Sequence, residues 1–566
     1  MKLYLVGDAV AEGTSSKLDV AQPCLQYRYH VVNTVRKTQT WWSILERLLR
    51  DWVEENVTVE LCPKASSPLE ALTTLPQTFQ GYVLLLFGSE MFLRGHHPSD
   101  RDLERLIELV VSRGGTPVLL TPPPLSERLS SKGFSLKDVR LKQAHFATYC
   151  KQISDLASRR ALPLIDLYQF FLKNQLLYNH LFEGWLPDGV AQTAMASFVT
   201  EQLTKFIGIE GFPHLVLTDY RKIFSNPDDP EWKHHAFTDL TFFKGQFFVA
   251  FREGFGHCPP PPPSGRIVIL RSEDGFTWEK EAVLQVPGVE HSADPKFLTV
   301  DGHGLFVYTP CLIREGGKPR SVTYGFRRLS PGQWSCPFKV SKCVFWRPKK
   351  WRNLFVVAPY HWPEEDASVK LLGSPDGYHW RELGIIHRKD AYNNETDLWV
   401  EGDRLMAFSR HDPPDGDHYM QISTFIEEEN RWETVSSGRL IQAPCVFEAK
   451  GSLFVVGRTC AYPHEEFTAL TKLYSEFSQG NTKIDPALIE KYHHGLRTGI
   501  FVLDGFRARQ VAELLSAGDS SYPGVVRYGE EYLISDYSMH EYYPPILKPG
   551  DWTTPADIYI SRIRIE

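Results

Sequence analysis

His257, in the stretch "GFGHCPPPPPSG", is a side chain suited to moving protons near neutrality, and the five prolines after it would hold its loop stiff. Two charged residues precede it in "VAFREGFGH", Arg252 and Glu253, which could form an ion pair at a strand end or face a ligand. Further along, "NNETDLWVEGDRLMAFSR" carries Glu395, Asp397 and Arg410, "LFVVGRT" carries Arg458, and "DSSYPGVV" carries Tyr522. Carboxylates and a histidine can exchange protons with a substrate, and arginines can anchor a polar or acidic group. Asp239 in "AFTDL", Asp294 in "SADPKF", and Tyr537 and His540 in "SDYSMHE" are further candidates, each of which could equally cap a turn or pack. The aromatic "VVAPYHWPEED" suits stacking on C–H-rich sugar faces, although core packing explains most aromatics in a chain with 13% of them. No His/Cys cluster has metal-ligand spacing and no glycine-rich phosphate loop is present, so neither a metal nor a cofactor is expected.

These residues lie in a region of short strands separated by Gly, Asp and Asn turns, which reads as all-β. Two segments repeat, "SEDGFTW" at 272–278 and "SPDGYHW" at 374–380, each between apolar strands. In both, the Asp can cap turn amides, the Gly can take a positive φ and the Trp can pack beneath. Hairpins such as "FFKGQFF" and "VEGDRLM" join further strands, and four-strand units begin near His235, His291, Val344, Asn394, Gln442 and Ser520. The stretch 463–496 interrupts them as a helical insertion, with a separate helical subdomain as the competing reading.

Six such units with these turns, which resemble Asp-boxes, are similar to the β-propeller of the sialidase superfamily. The resemblance covers residues 234–566. It implies a retaining glycosidase with a Tyr nucleophile, because a carboxylate nucleophile would meet the substrate's own carboxylate, and the phenol then needs a base. It places Tyr522 as nucleophile, Glu395 as base, and Arg410 and Arg458 as substrate anchors. Blade one departs from the family: "AFTDL" has Thr238 and Asp239 where an arginine is expected. The three-arginine carboxylate clamp is then incomplete unless Arg252 replaces it, and the acid is left to His257, Glu253 or Asp239. Asp294, Asp397, Tyr537 and His540 are carried as binding candidates. The implied partner is a glycan or glycoconjugate, on balance one with an acidic sugar. A lectin-like propeller without turnover is the alternative.

The first 209 residues alternate apolar runs with helical patterns, an α/β signature. Strands are expected at 2–6, 57–61, 82–87, 117–121 and 162–166, with amphipathic helices such as 41–53 and 102–111 between them. The site of such a parallel sheet lies at the carboxyl ends of its strands, near Asp8, Gly88 and the segment after Asp166. "LVGDAVAEG", "LLLFGSEMF" and "LPDGVAQT" resemble the blocks of SGNH (GDSL-type) hydrolases, implying a three-layer α/β/α domain. Asp8 is followed by Ala9 in place of the nucleophilic serine, Glu90 stands where an amide should donate, and Asp188 is followed by Ala191 in place of the base. The resemblance therefore implies a degenerate, non-catalytic domain, with an esterase using another nucleophile, such as Ser89, as a third reading.

The expected order is thus an α/β domain at 1–209, a connector at 210–233 and a six-bladed propeller at 234–566. The net charge of −7 and pI near 6.3 give no basic footprint for nucleic acid. No run of about 20 apolar residues spans a membrane. Nine scattered cysteines read as free thiols, and the form as written reads as cytoplasmic, exported only if a leader was removed. The oligomeric state has no signature in the sequence.

Overall fold

The computed structural model describes residues 1–8, 10, 40–53, 56–95, 99–182, 184–257, 265–289, 291–300, 304–361, 368–414, 416–478, 483–542, 547–548, 551–552 and 554–566. Two compact units emerge, one of Met1–Thr218 with Val511–Leu515 and Glu566, the other of Asp219–Gln510 with Ser516–Ile565.

The first unit is built on a parallel sheet of β1 (Lys2–Gly7), β2 (Thr58–Leu61), β3 (Gly81–Leu86), β4 (Thr116–Thr121) and β5 (Leu164–Asp166), in the order β2-β1-β3-β4-β5. Strand side chains alternate between faces, so each face needs its own cover. Leu3 and Leu5 join one buried cluster with Trp41, Leu45 and Leu48 of the helix Trp41–Trp52 and with the helix Gly189–Phe206. Tyr4 and Val6 join the other, with Leu106 and Val110 of Asp100–Ser112 and Phe146 and Ile153 of Leu136–Arg160. The starts of these last two helices are capped by Ser99 and Ser135, whose hydroxyls accept from the amides of Asp102 and Asp138. Among the described residues no helix is long and apolar enough to cross a membrane.

The second unit is a six-bladed β-propeller. The blades start with the innermost strands His234–Phe243, Lys296–Val300, Lys349–Trp351, Asn393–Glu401, Gln442–Ala449 and Ser520–Tyr528. Both faces of the middle strands are buried, as Phe247 to Phe251 of blade one illustrate, because each blade packs between two others. The span 210–233, expected as a connector, contains the strand Leu215–Phe224, which pairs beside Asp557–Ile565 as the outermost strand of blade six. A sheet edge is thereby covered, which a ring of blades requires to close. Helices His464–Ser478 and Pro486–Gly495 occupy the interruption in blade five, where Phe467, Leu470 and Tyr492 share one buried cluster with Leu440 and Leu496 of the propeller.

The repeated turns have one geometry. The Asp274 carboxylate accepts from the amides of Phe276 and Thr277 at 2.7 and 2.8 Å, and Asp376 from those of Tyr378 and His379 at 2.8 and 2.9 Å. These backbone donors hold the Asp274 carboxyl down at about 2. Gly275 and Gly377 take φ of 70° and 80°, and each Trp indole donates to the Gly carbonyl at 3.2 or 3.1 Å. Each turn also receives a donor from the preceding blade, Arg562 of blade six to the Asp274 carbonyl and Tyr308 of blade two to the Gly377 carbonyl. The turns therefore fasten one blade to the next.

Candidate functional site

The innermost strands of blades one and four share Thr-Asp-Leu, at 238–240 and 396–398. In both, the Asp accepts an amide from the next blade's inner strand: Asp239 from Phe297 at 2.7 Å and Asp397 from Val446 at 2.8 Å. The residue before each Thr, Phe237 or Glu395, lines a cavity of about 600 Å³, a volume typical of small-ligand sites.

The cavity is walled by residues of several blades, including Asp294, Tyr360, Tyr392, Asn394, Glu395, Arg410, Asp412, His257 and Tyr522. At its base the Tyr522 hydroxyl donates to Glu395 Oε1 at 2.5 Å. Arg410 Nη1 lies 3.2 Å from both Glu395 oxygens and 3.4 Å from the Tyr522 hydroxyl, and its Nε is 2.6 Å from Asp412. Glu395 Oε2 accepts the amide of Ala443 at 3.0 Å. Burial and the Glu395 carboxylate push the Tyr522 phenol well above its ordinary range, against the pull of Arg410 and Arg458. The phenol is thus neutral at rest, with one proton acceptor in direct contact.

The inner strands are bent where they meet the cavity. Phe237, Asp294, Ala443, Ser521 and Tyr522 have left-handed φ of 61°, 39°, 50°, 84° and 49°. The pairing register shifts between Asn393 and Thr396, Gln442 and Cys445, and Ser521 and Gly524. Bulges re-aim side chains, and a left-handed non-glycine residue costs of order 1–3 kcal/mol. Three of these residues, Phe237, Asp294 and Tyr522, line the cavity itself, so the strained backbone and the cavity coincide.

A second network adjoins Tyr522. Asp519, fully buried, accepts from Arg458 at 2.9 Å and from the Tyr537 hydroxyl at 2.6 Å on one oxygen, and meets His257 Nδ1 at 2.5 Å on the other. His234 Nε2 is 3.2 Å from that second oxygen, while its Nδ1 faces the Thr554 carbonyl at 3.0 Å. Burial alone would raise the Asp519 carboxyl, but His257, His234 and Arg458 outweigh it and hold the group well below its ordinary value. The Arg458 guanidinium also stacks 4.9 Å over the Tyr522 ring. His234, His257 and Asp519 bring ligand-type atoms within 4.8 Å of one another. In this structure the His257 and Asp519 atoms are joined by a hydrogen bond.

Of the three acid candidates only His257 lines the cavity. Asp239 is turned to a separate cavity with Arg347 and Lys349, 3.6 Å from Arg347 Nε. Glu253 is buried against Arg266 at 2.6 Å and His235 at 3.6 Å. Arg252 donates to the carbonyls of Gly256 and His257 at 2.6 and 2.8 Å and stacks on Phe237, so it braces the His257 loop. Thr238 bonds the Tyr522 carbonyl and the Ser535 hydroxyl at 2.8 and 2.9 Å. His540 packs on Tyr559 and contacts Ser538, and Asp397 ties inner strands together beside Lys349; neither lines the cavity. The sequence reading passed over Asp412, Asn394, Tyr392, Asp519 and His234. Asp412 stood two residues from Arg410, whereas His234 and Asp519 are joined only by the ring.

In the first unit, Asp8 is fully buried and accepts the amides of Val10, Gly88 and Glu90 at 3.0, 3.2 and 3.1 Å. Burial raises its carboxyl to about 6 despite those amides. Glu90 pairs with Arg94 and, at 3.3 Å, with Lys64. Asp188 caps the helix Gly189–Phe206 through the amides of Val190 and Ala191 and contacts His180 Nδ1 at 2.8 Å, a histidine the sequence reading did not single out. Ala191 is buried in that helix. Ser89 is buried, with no hydrogen-bond partner for its hydroxyl among the described residues. Ala9 lies outside the described residues.

No family model matches the chain, and no curated protein is similar to it. Among solved structures it is similar to the Phage phi92 endosialidase, at 9% identity over 63% of this chain and 69% of that one, with a TM-score of 0.41. It is also similar to the Trypanosoma rangeli sialidase in complex with the inhibitor DANA, at 11% identity, 62% and 59% coverage and a TM-score of 0.41. A Bombyx mori GH32 beta-fructofuranosidase follows at 12% identity, 62% and 92% coverage and 0.34. The chain thus spans about three-fifths of the trypanosomal sialidase it resembles. These neighbours carry the names of sialidases and glycoside hydrolases, and the likeness is one of fold.

Proposed function

We propose that the propeller is a glycoside hydrolase of the sialidase-like, retaining type, that the repeated turns are its Asp-boxes, and that the first unit is an SGNH-like domain without catalysis. The observation that carries this reading is the 2.5 Å Tyr522–Glu395 contact beside Arg410 in a strained cavity. In the first step Glu395 takes the phenol proton as the Tyr522 oxygen bonds to the anomeric carbon. The bond from that carbon to the leaving oxygen breaks, and His257 gives this oxygen its proton. In the second step His257 takes a proton from water, whose oxygen displaces the tyrosyl oxygen, and Glu395 returns the proton to Tyr522. Asp519 holds the His257 ring in orientation.

The test is turnover of aryl glycosides by Tyr522→Phe and Glu395→Gln. The reading expects Tyr522→Phe to abolish release with the fold intact. Undiminished turnover in that variant contradicts it, and ligand binding by the parent chain with no product released points instead to a lectin-like propeller.

A further inference from the structure

We propose that the sugar taken by this cavity bears no carboxylate: it is a neutral or amine-bearing sugar, not the acidic one the sialidase resemblance implies. The proposal rests on the glycoside hydrolase reading for turnover, but ligand binding alone tests it.

The charges on the cavity wall decide the sign. Among the described residues Glu395, Asp412 and Asp294 line the wall with a single guanidinium, that of Arg410, and the His257 and His361 imidazoles are the other basic groups there. Arg410 is already shared, its Nε with Asp412 at 2.6 Å and its Nη1 with both Glu395 oxygens at 3.2 Å. A ligand carboxylate would be a further anion competing for that cation in a half-enclosed site, where Coulomb repulsion is weakly screened.

The other arginines that could compensate are directed elsewhere. Arg458 donates to Asp519, to the Tyr537 hydroxyl and, through Nε at 2.9 Å, to the Ser520 carbonyl. Arg252 spends both terminal nitrogens on its own loop's carbonyls. Neither lines the cavity, and Thr238 fills the blade-one position with a hydroxyl bonded to Tyr522 and Ser535.

What the wall offers instead is suited to hydroxyl or ammonium groups. Asp294 Oδ1 is buried and has no hydrogen-bond partner among the described residues. A buried oxygen in that state costs free energy until a donor reaches it, and a sugar hydroxyl or amine supplies one. Asn394, whose amide donates to Asp412 at 2.9 Å, adds a polar edge, and Tyr360 and Tyr392 add aromatic surface.

The experiment uses the full chain carrying Tyr522→Phe, so that ligands are bound without being consumed. Methyl glucoside, methyl glucosaminide, methyl glucuronide, the corresponding galactose set and a methyl sialoside are titrated by calorimetry at pH 7. The expected result is that a neutral or amine-bearing member binds at least tenfold tighter than its uronate partner and than the sialoside. In Asp412→Asn with Asp294→Asn that ratio falls by about tenfold. Tighter binding of a uronate or the sialoside, or no binding by any neutral or amine-bearing member, overturns the proposal. If full activity in Tyr522→Phe removes the mechanism, this ranking of ligands still stands or falls by itself.

Discussion

Two buried aspartates, Asp8 in the first unit and Asp519 in the propeller, respond to burial in opposite ways. Among the described residues Asp8 bonds only backbone amides and lies near Glu90, and its carboxyl is raised to about 6. Asp519 meets His257, His234 and Arg458 and is held well below its ordinary value. At Asp8 the amides lower the carboxyl but do not offset burial beside Glu90, whereas at Asp519 the positive partners more than offset it. Asp8 in the first unit holds neighbouring backbone in place. The second unit holds a phenol, a carboxylate, a histidine and a guanidinium against a cavity, on strands bent to aim them.

The largest effect that would break this contrast concerns turnover. Tyr522→Phe should abolish glycoside release, and Glu395→Gln should slow it by roughly 10²–10⁴-fold, the range for losing a general base. Steady-state kinetics on an aryl glycoside measures both. Undiminished activity in either variant would reduce the Tyr522–Glu395 pair to a structural contact like those of Asp8.

Next in size is a loss of stability. Asp519→Ala leaves Arg458 without its carboxylate and should cost about 3–5 kcal/mol in denaturant unfolding at pH 7. Because the folded Asp519 value lies below the unfolded one, its contribution is present above pH 4 and lost as the pH falls further. The gap between parent and variant should therefore narrow in acid.

Asp8 should behave with the reverse sign. Its folded value near 6 exceeds the ordinary 3.9, so stability present below pH 4 is lost as the pH rises through 6, by roughly 2–3 kcal/mol. Asp8→Asn should flatten this slope in the unfolding of the first unit and leave glycoside turnover within twofold. The smallest effect expected is none: Ala9→Ser should not give aryl acetate hydrolysis, because Glu90 is paired to Lys64 and Arg94 and position 191 has no imidazole. A fluorophosphonate probe that labelled this variant would show the first unit to be closer to catalysis than its hydrogen bonds imply.

Much of the propeller was legible because its short strands are separated by Gly, Asp and Asn turns and its hairpins carry glycines, both local properties. Glu395 and Arg410 were legible for the same reason, lying fifteen residues apart on two hairpin-joined strands. Leu215–Phe224 was not, since its partner strand ends the chain and no local pattern announces that pairing. Asp239 and Asp397 looked functional by residue type. Their inner strands needed a carboxylate to accept an amide from the neighbouring blade, and that demand leaves no trace in spacing. The Asp519 network was hidden for a similar reason: His234, His257, Arg458 and Tyr537 meet only because blades five, six and one adjoin around the ring.

The most direct test of the central claim is peptide mapping by mass spectrometry after incubation with 2-deoxy-2-fluoro glycosyl fluorides, which slow breakdown of a covalent intermediate. A glycosyl adduct on Tyr522 is the expected result. An adduct on Glu395 or Asp294 would contradict the assignment of the nucleophile, and glycoside turnover with no adduct at Tyr522 would contradict the covalent route.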